Sequence, residues 1–401
     1  MAGALAGLRI IEIGEMVSAP YAAKLMADVG ADVIKIERPG LGDPARRRGP
    51  FVDDQPHPEK SGLFLYLNSN KLGVTLDIAN ARGFALLERL VQDADVLMHN
   101  LAPAEMDRIG LTFERLSKVN PKLVMTSITP FGLDGPHRDY HSTNLTLWCA
   151  GGACYLNGSP EHPDKPPLAA FGQQAYYQGG AHAAVATMGA LLGGLNDGVG
   201  QHVEVSVQET VASILEMTFA FWPYIGMIAS RLGQKPIQPL DVMECKDGYI
   251  FICCIEEHQW HSFVDVMGHP QWAGEEIFQD RLKRAAHWDA LRPLLQEWVG
   301  EQRVHELYTK ALHRKIPFAP VSTMGDLLSA EHLKARGFFV EIAHPEAGTY
   351  RYPGAPTKYS VTPWEIRHAA PLLGQHNREV FGERLGLSDA ELADLRKSGV
   401  I

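Results

Sequence analysis

Apolar and polar positions along the opening of the chain follow a strand, helix, strand rhythm. Leu8 to Ile13 is a short apolar, β-branched run, Ala19 to Val29 carries Ala, Leu and Met at helical spacing and stops at Gly30, and Ala31 to Ile36 reads as a strand again. Two buried parallel strands joined by a crossover helix fit this pattern. The alternation continues through apolar KLGVTLDI, helical ARGFALLERLVQDA, apolar DVLMHN, a helical stretch near Phe113 to Val119 and apolar KLVMTSIT. Such repetition predicts an α/β fold on a parallel sheet. Glycine and alanine dominate Gly151 to Gly194, and Gly179 to Leu195 predicts a buried helix of small residues packed closely on its neighbours. A polar, proline-bearing loop around Arg231 to Pro239 then gives way to the strand GYIFICCI. Amphipathic helices follow over Trp260 to Met267, Trp288 to Val299 and Val304 to Leu312, a candidate second, smaller domain.

Composition agrees and removes some function classes. At 401 residues the chain exceeds one typical core, so two domains are expected. With 45% hydrophobic and 21% charged residues it reads as an ordinary globule. A formal charge of -10 without a long Lys/Arg run argues against a nucleic-acid partner. The opening residues, with Arg9 and Glu12 among them, do not read as a signal peptide, and no apolar run is long enough to suggest a membrane span. Five cysteines, Cys149, Cys154, Cys245, Cys253 and Cys254, lack paired zinc spacing and point to reduced thiols, mostly in the core, of a cytoplasmic protein. After the first strand Gly14, Glu15, Met16 and Val17 stand in place of the glycine triplet that cradles a dinucleotide, which disfavours a nicotinamide or flavin dehydrogenase. Glu257, His258 and His261 lack HExxH spacing, so no metal site is expected there.

The run LRIIEIGEMVSAPYAAKLMADVGADVIKIERPG closely resembles the start of the class III CoA-transferases. The likeness continues in order through Gly42 and Asp43, Asn68, Asn70 and Lys71, Thr75, Leu76 and Asp77, Asn100 and Pro103, Asp107, Arg108 and Gly110, and the turn Phe131, Gly132, Gly135, Pro136. It reappears at Lys246 to Tyr249, at Pro317, Pro320 and Val321, and in GQHNREVFGERLGLSDAELADLRKSGVI. So many ordered matches cover essentially the whole chain. The resemblance implies a Rossmann-like large domain over residues 1–225, completed by 331–401, and a smaller inserted α+β domain over 226–330. It also implies an interlocked dimer.

Family chemistry requires a groove for coenzyme A and a carboxylate that attacks the thioester, giving an acyl anhydride and then an enzyme-bound CoA thioester. Coenzyme A would come and go as part of an acyl-CoA substrate, with no permanently bound cofactor. By resemblance the groove falls to Val17, Ser18, Arg38, Leu76, Asn100, Leu101 and Arg108. Arginine suits phosphate, since its fixed fork of donors meets phosphate oxygens and its plane stacks on adenine. On pattern alone Arg38 and Arg108 could equally pair with acids such as Glu37 or Asp107. Ala79 stands where relatives commonly carry a lysine, a contact that Arg82 could replace.

The nucleophile departs further from the family. Aligning Gly180, Ala183 and Leu191 with relatives places Tyr176 where they carry the catalytic aspartate, and no Asp or Glu lies between Asp164 and Asp197. No catalytic residue is therefore expected in this chain. A phenol titrates near ~10 and would need activation; QQAYYQ offers only amides, and His182 and His141 are the nearest candidate bases. A racemase, which needs the same aspartate beside a histidine near His141, is disfavoured too.

Two readings remain open. In the first, this chain is one subunit of a heteromeric CoA-transferase whose paralogous partner supplies the aspartate, as in two-subunit relatives resembling succinyl-CoA:benzylsuccinate CoA-transferase. Its substrates would be an acyl-CoA, succinyl-CoA among the candidates, and a carboxylic acid. In the second it is a stand-alone homodimer that binds CoA esters with altered or no catalysis.

Overall fold

The opening pattern folds as a βαβ unit. β1 (Arg9–Ile13) and β2 (Asp32–Glu37) pair in parallel and are joined by α1 (Ser18–Ala27). Next come β3 (Lys71–Thr75), α2 (Ala81–Val91), β4 (Val96–His99), α3 (Pro103–Ile109), α4 (Phe113–Val119) and β5 (Val124–Thr129). They are followed by α5 (Asn144–Ala150), α6 (Gln174–Asp197), β6 (His202–Ser206), α7 (Val207–Ser213) and α8 (Glu216–Ile225). The six strands are all parallel, in the order β3-β2-β1-β4-β5-β6. Strand order reverses between β1 and β4, so the loops after these two strands diverge and leave a crevice at the carboxyl edge of the sheet.

The computed structural model describes residues 3–159, 162, 164–231 and 237–401, apart from the side chain of Met217. Much of the loop expected around Arg231 to Pro239, and part of the segment SPEHPDKPP, lie outside the described residues. The chain divides into two compact units: Met1–Gly158 with Pro167–Ala229 and Gly337–Ile401, and Ser159–Pro166 with Ser230–Arg336. In the second unit an antiparallel sheet of Leu240–Cys245, Gly248–Cys253 and Ala319–Pro320 carries the helices Glu257–Met267, Trp288–Gly300 and Val304–His313. Trp260, Phe263, Leu291, Leu295, Leu307 and Phe318 form its core. Glu257 there accepts from the buried Arg284 at 2.9 Å, so its carboxylate serves a structural pair.

In the six-stranded sheet β1 to β5 bury both faces, whereas β6 at the edge exposes Glu204. Ile11, Ile34, Ile36, Leu97 and Met125 pack on Phe84, Leu87 and Leu90 of α2 and on Val380 and Phe381. Ile10, Val33, Val96, Met98 and Val124 pack on alanines of α1 and α6. Glycine makes the α1–α6 approach possible: a Cβ on Gly180 would lie 2.5 Å from the Ser18 carbonyl oxygen. The expectation that this small-residue helix is buried needs correction, because only one stripe of it, including Gly179, Gly180, Ala183 and Thr187, faces inward. Val185, Leu192 and Leu195 are exposed, as the 3.6-residue period requires when one side alone meets a neighbour.

Three charged side chains share the α1 face of the sheet and are fully buried. Glu12 sits beside Lys35 in the β1–β2 register, and its two oxygens meet Lys35 Nζ at 2.9 Å and Lys71 Nζ at 2.7 Å. Lys71 also donates to the Pro20 carbonyl (2.8 Å) and Asn68 Oδ1 (2.9 Å). Burial brings Lys71 down to about 8 against the opposing pull of Glu12. Glu12→Gln leaves two buried ammonium groups short of their counter-charge and is expected to cost about 3–5 kcal/mol, measured by urea unfolding.

A second polar chain crosses the sheet. Buried His99 receives the Leu101 N–H at Nδ1 (3.3 Å), and its Nε2 lies 2.7 Å from Ser127 Oγ, which also meets His202 Nε2 at 2.8 Å. Burial, with a smaller push from His202, lowers His99 from 6.5 to about 3. Between those values the unfolded chain binds the proton that the folded one refuses, so stability falls as pH drops through this window, by up to ~1.4 kcal/mol per pH unit. Urea unfolding at pH 7 and pH 5 should show that decline, and His99→Gln should make it shallower.

Candidate active site

The crevice is shaped by the β1–α1 turn, residues 14–17, and two buried groups hold that turn from below. Lys35 donates to the Gly14 carbonyl at 2.7 Å and meets Asp43 at 3.0 Å. Asp43 in turn accepts the Met16 N–H at 2.9 Å and the Ala45 N–H at 2.8 Å. Burial alone would raise the Asp43 carboxyl, but Lys35 and the two N–H donors outweigh it and hold it below the usual carboxylate range. Met16 has a φ of 61°, a conformation uncommon outside glycine, and the Asp43 bond keeps it there. From the side, Asn100 accepts the Glu15 N–H (2.8 Å) and donates to the Glu15 carbonyl (2.7 Å) and Ser18 Oγ (3.0 Å).

Four of the seven positions expected to bind coenzyme A line one cavity of about 180 Å³ beside this turn: Arg38, Leu76, Leu101 and Arg108. Arg108 grips Glu105 with two bonds of 2.8 and 2.7 Å, and Arg38 lies 3.3 Å from Glu15. The acids suggested by sequence, Glu37 and Asp107, are instead taken by Arg46 (2.7 and 2.8 Å) and Arg138 (2.6 Å). Both cavity arginines are exposed, where solvent screens such pairs, so each can exchange its carboxylate for a phosphate at little cost. Ala79 lines this cavity, whereas Arg82 does not. Arg82, the residue that could replace the lysine, stands at the first turn of α2 and pairs with Asp394 of the helix Asp389–Lys397 at 2.6 Å.

The other three positions, Val17, Ser18 and Asn100, line a larger neighbouring cavity of about 880 Å³ together with Tyr176. Glu15 lines both cavities and is the one acid around the larger, among the described residues. Burial raises Glu15 above its ordinary value, and Arg38 pulls it partly back. Tyr176 stands on the first turn of α6, half-buried against the α1 face. Burial pushes its hydroxyl up and the nearby Ser142 side chain only partly offsets it, so at neutral pH Tyr176 is a phenol rather than a phenolate. His141 also lines this cavity. His182 does not: two turns along α6, it faces a separate shallow groove and bonds the Gln178 carbonyl at 3.0 Å. Sequence reasoning overlooked Glu15, Asp43 as the brace of the turn, and Arg48, which also lines the larger cavity. Charges at the ends of apolar strands were the available signal.

Comparison with known proteins follows this geometry. A family described as CoA-transferase family III matches residues 5–377. A formyl-CoA:oxalate CoA-transferase of Rhodopseudomonas palustris is 31% identical over 100% of this chain and 98% of that protein. The alpha subunit of the succinyl-CoA–L-malate CoA-transferase of Chloroflexus aurantiacus is 30% identical over 99% of this chain and 92% of its own length. Its beta subunit is 29% identical over 99% and 98%. The crystal structure of a CAIB/BAIF family protein from Brucella suis superposes with a TM-score of 0.85 at 27% identity, covering 96% of this chain and 100% of that one.

Asn100→Ala removes all three side-chain bonds that tie the β1–α1 turn to β4. It is expected to cost about 1–3 kcal/mol in urea unfolding, from the orphaned Glu15 backbone groups. Amide exchange at residues 15–18 should rise while the strands stay protected.

Proposed function

Since the chain belongs to CoA-transferase family III, we propose that it moves coenzyme A from an acyl-CoA to a carboxylic acid as one subunit of a heteromer whose homologous partner supplies the catalytic aspartate. The observation that carries this reading is the pair of adjoining cavities. One has exposed arginines suited to a nucleotide; the other has an uncharged phenol, Tyr176, where the reaction needs a carboxylate. Coenzyme A would lie with its phosphates toward Arg38 and Arg108 and its thioester toward Tyr176, past Val17, Ser18 and Asn100.

A neutral phenol can donate a hydrogen bond to a thioester carbonyl, yet it cannot form the anhydride through which the CoA thiolate is passed on. A related chain could supply that step. Support comes from the Chloroflexus relative, whose alpha and beta subunits are both similar to this chain. Further support comes from the apolar residues left exposed on and after α8, among them Phe219, Trp222, Tyr224, Ile225 and Ile228, which suit an extensive protein contact. A homodimer that binds CoA esters with altered or no catalysis is the second reading. It is favoured by the cavity beside Tyr176 being open rather than filled.

Native mass spectrometry of the protein from its own cells separates the two. Recovery with an equal-sized, aspartate-bearing paralogue is expected, and a homodimer would overturn the heteromer. In the heteromer, removing the partner's aspartate should abolish transfer while Tyr176→Asp in this chain alone does not restore it. In calorimetry, Arg38→Gln and Arg108→Gln should each weaken coenzyme A binding about tenfold, an effect shrinking at high salt.

A further inference from the structure

Residues 46–48 are three consecutive arginines, and the fold gives each a different fate. Arg46 is buried and clamped by Glu37 at 2.7 and 2.8 Å, Glu59 at 2.5 Å and the Pro371 carbonyl at 3.0 Å. Arg47 donates to the Leu41 carbonyl at 2.6 Å. Arg48 lines the large cavity, and its guanidinium makes no ion pair or hydrogen bond among the described residues. Its backbone is nevertheless fixed: the Arg48 N–H donates to Ala45 (3.0 Å), and its carbonyl accepts from Ser61 Oγ (2.6 Å).

Among the described residues Arg48 is the only Lys or Arg that lines this cavity. Its polar neighbours there are the hydroxyls and amides of Ser18, Asn100, Ser142, Asn144 and Tyr176, with His141. The one acid, Glu15, is already engaged by Arg38. Arg48 is exposed to solvent, and an unpaired guanidinium whose backbone is fixed on a cavity wall suits an anion brought from outside the protein. The acyl end of a thioester is neutral once its carboxyl carries coenzyme A, so in the bound ester, as distinct from the free acid, a cation there meets an anion only if the acid has a second negative group.

Resting on the CoA-transfer reading, we propose that Arg48 selects a dicarboxylic acid: the acyl carbon faces Tyr176 and the remote carboxylate is held by the Arg48 guanidinium. The cavity, at about 880 Å³, has room for a short diacid chain beside the thioester arm. Arg48 is thus a specificity residue, separate from those expected to hold the nucleotide.

The test is calorimetric titration of the full chain, with any subunit that accompanies it, using succinyl-CoA, butyryl-CoA, succinate and butyrate against wild type, Arg48→Gln and Arg48→Lys. Wild type should bind succinyl-CoA about tenfold or more tightly than butyryl-CoA, the worth of one charge-assisted contact. Arg48→Gln should erase that difference while leaving butyryl-CoA affinity and the thermal midpoint unchanged, and Arg48→Lys should keep part of it. Equal binding of the two esters by wild type, or equal loss of both in Arg48→Gln, overturns the assignment while leaving CoA transfer standing. If neither ester binds but succinate still outbinds butyrate through Arg48, the assignment holds and the CoA reading falls; if nothing binds, both fall.

Discussion

The first unit depends on one buried cluster of charges, Glu12, Lys35, Lys71 and Asp43, lying under the carboxyl edge of the sheet. Charges out of water cost several kcal/mol each unless they are paired and hydrogen-bonded. Here Glu12 meets both ammonium groups, and those groups also find Asp43, the Gly14 and Pro20 carbonyls and Asn68. The partners lie on β1, β2, β3, the first turn of α1 and the loop after β2, so the cluster is satisfied only when all of these are in register. It therefore acts as a test of correct assembly as well as a bond.

The cluster also fixes the shape of the crevice. Lys35 and Asp43 hold Gly14 and Met16 from beneath, and Asn100 holds Glu15 and Ser18 from the β4 side. The turn is thus rigid without a glycine triplet, and its backbone separates a small arginine-bearing cavity from a larger one headed by Tyr176. A dinucleotide fold uses the same crevice to offer backbone N–H groups to a pyrophosphate. In this chain Asn100 and Asp43 already occupy the N–H groups of Glu15 and Met16, so these two are not free for an anion.

Side-chain recognition explains how one scaffold can keep its groove while its chemistry changes. Tyr176 lines the large cavity and packs on the α1 face, so an aromatic ring holds this part of the wall, and Glu15 is the one acid around it among the described residues. The division proposed above, in which a related subunit takes the covalent step and this chain selects the acid, asks of this chain only a fixed cation at a suitable point of the wall.

Residue order alone carried the repeated α/β pattern, the boundaries of most strands and helices, the family, and the lack of any Asp or Glu between Asp164 and Asp197. These are properties of local period and residue type, which the chain carries without folding. The family resemblance named seven positions that line the two cavities, but it passed over Glu15 and Arg48, whose places on the walls follow from the turn that carries them. The tertiary structure alone decided the partners of the charges. Glu12 and Lys71 are 59 positions apart, and Asn70 and Asp28 42 apart, and such pairs meet only through strand order and helix crossing. The same holds for Arg46, Arg47 and Arg48, adjacent and alike in sequence, which one short turn sends to a buried clamp, a backbone carbonyl and the wall of a cavity. It holds for the glycine-alanine helix as well, whose composition announces close packing but whose buried stripe is set by the neighbours it meets.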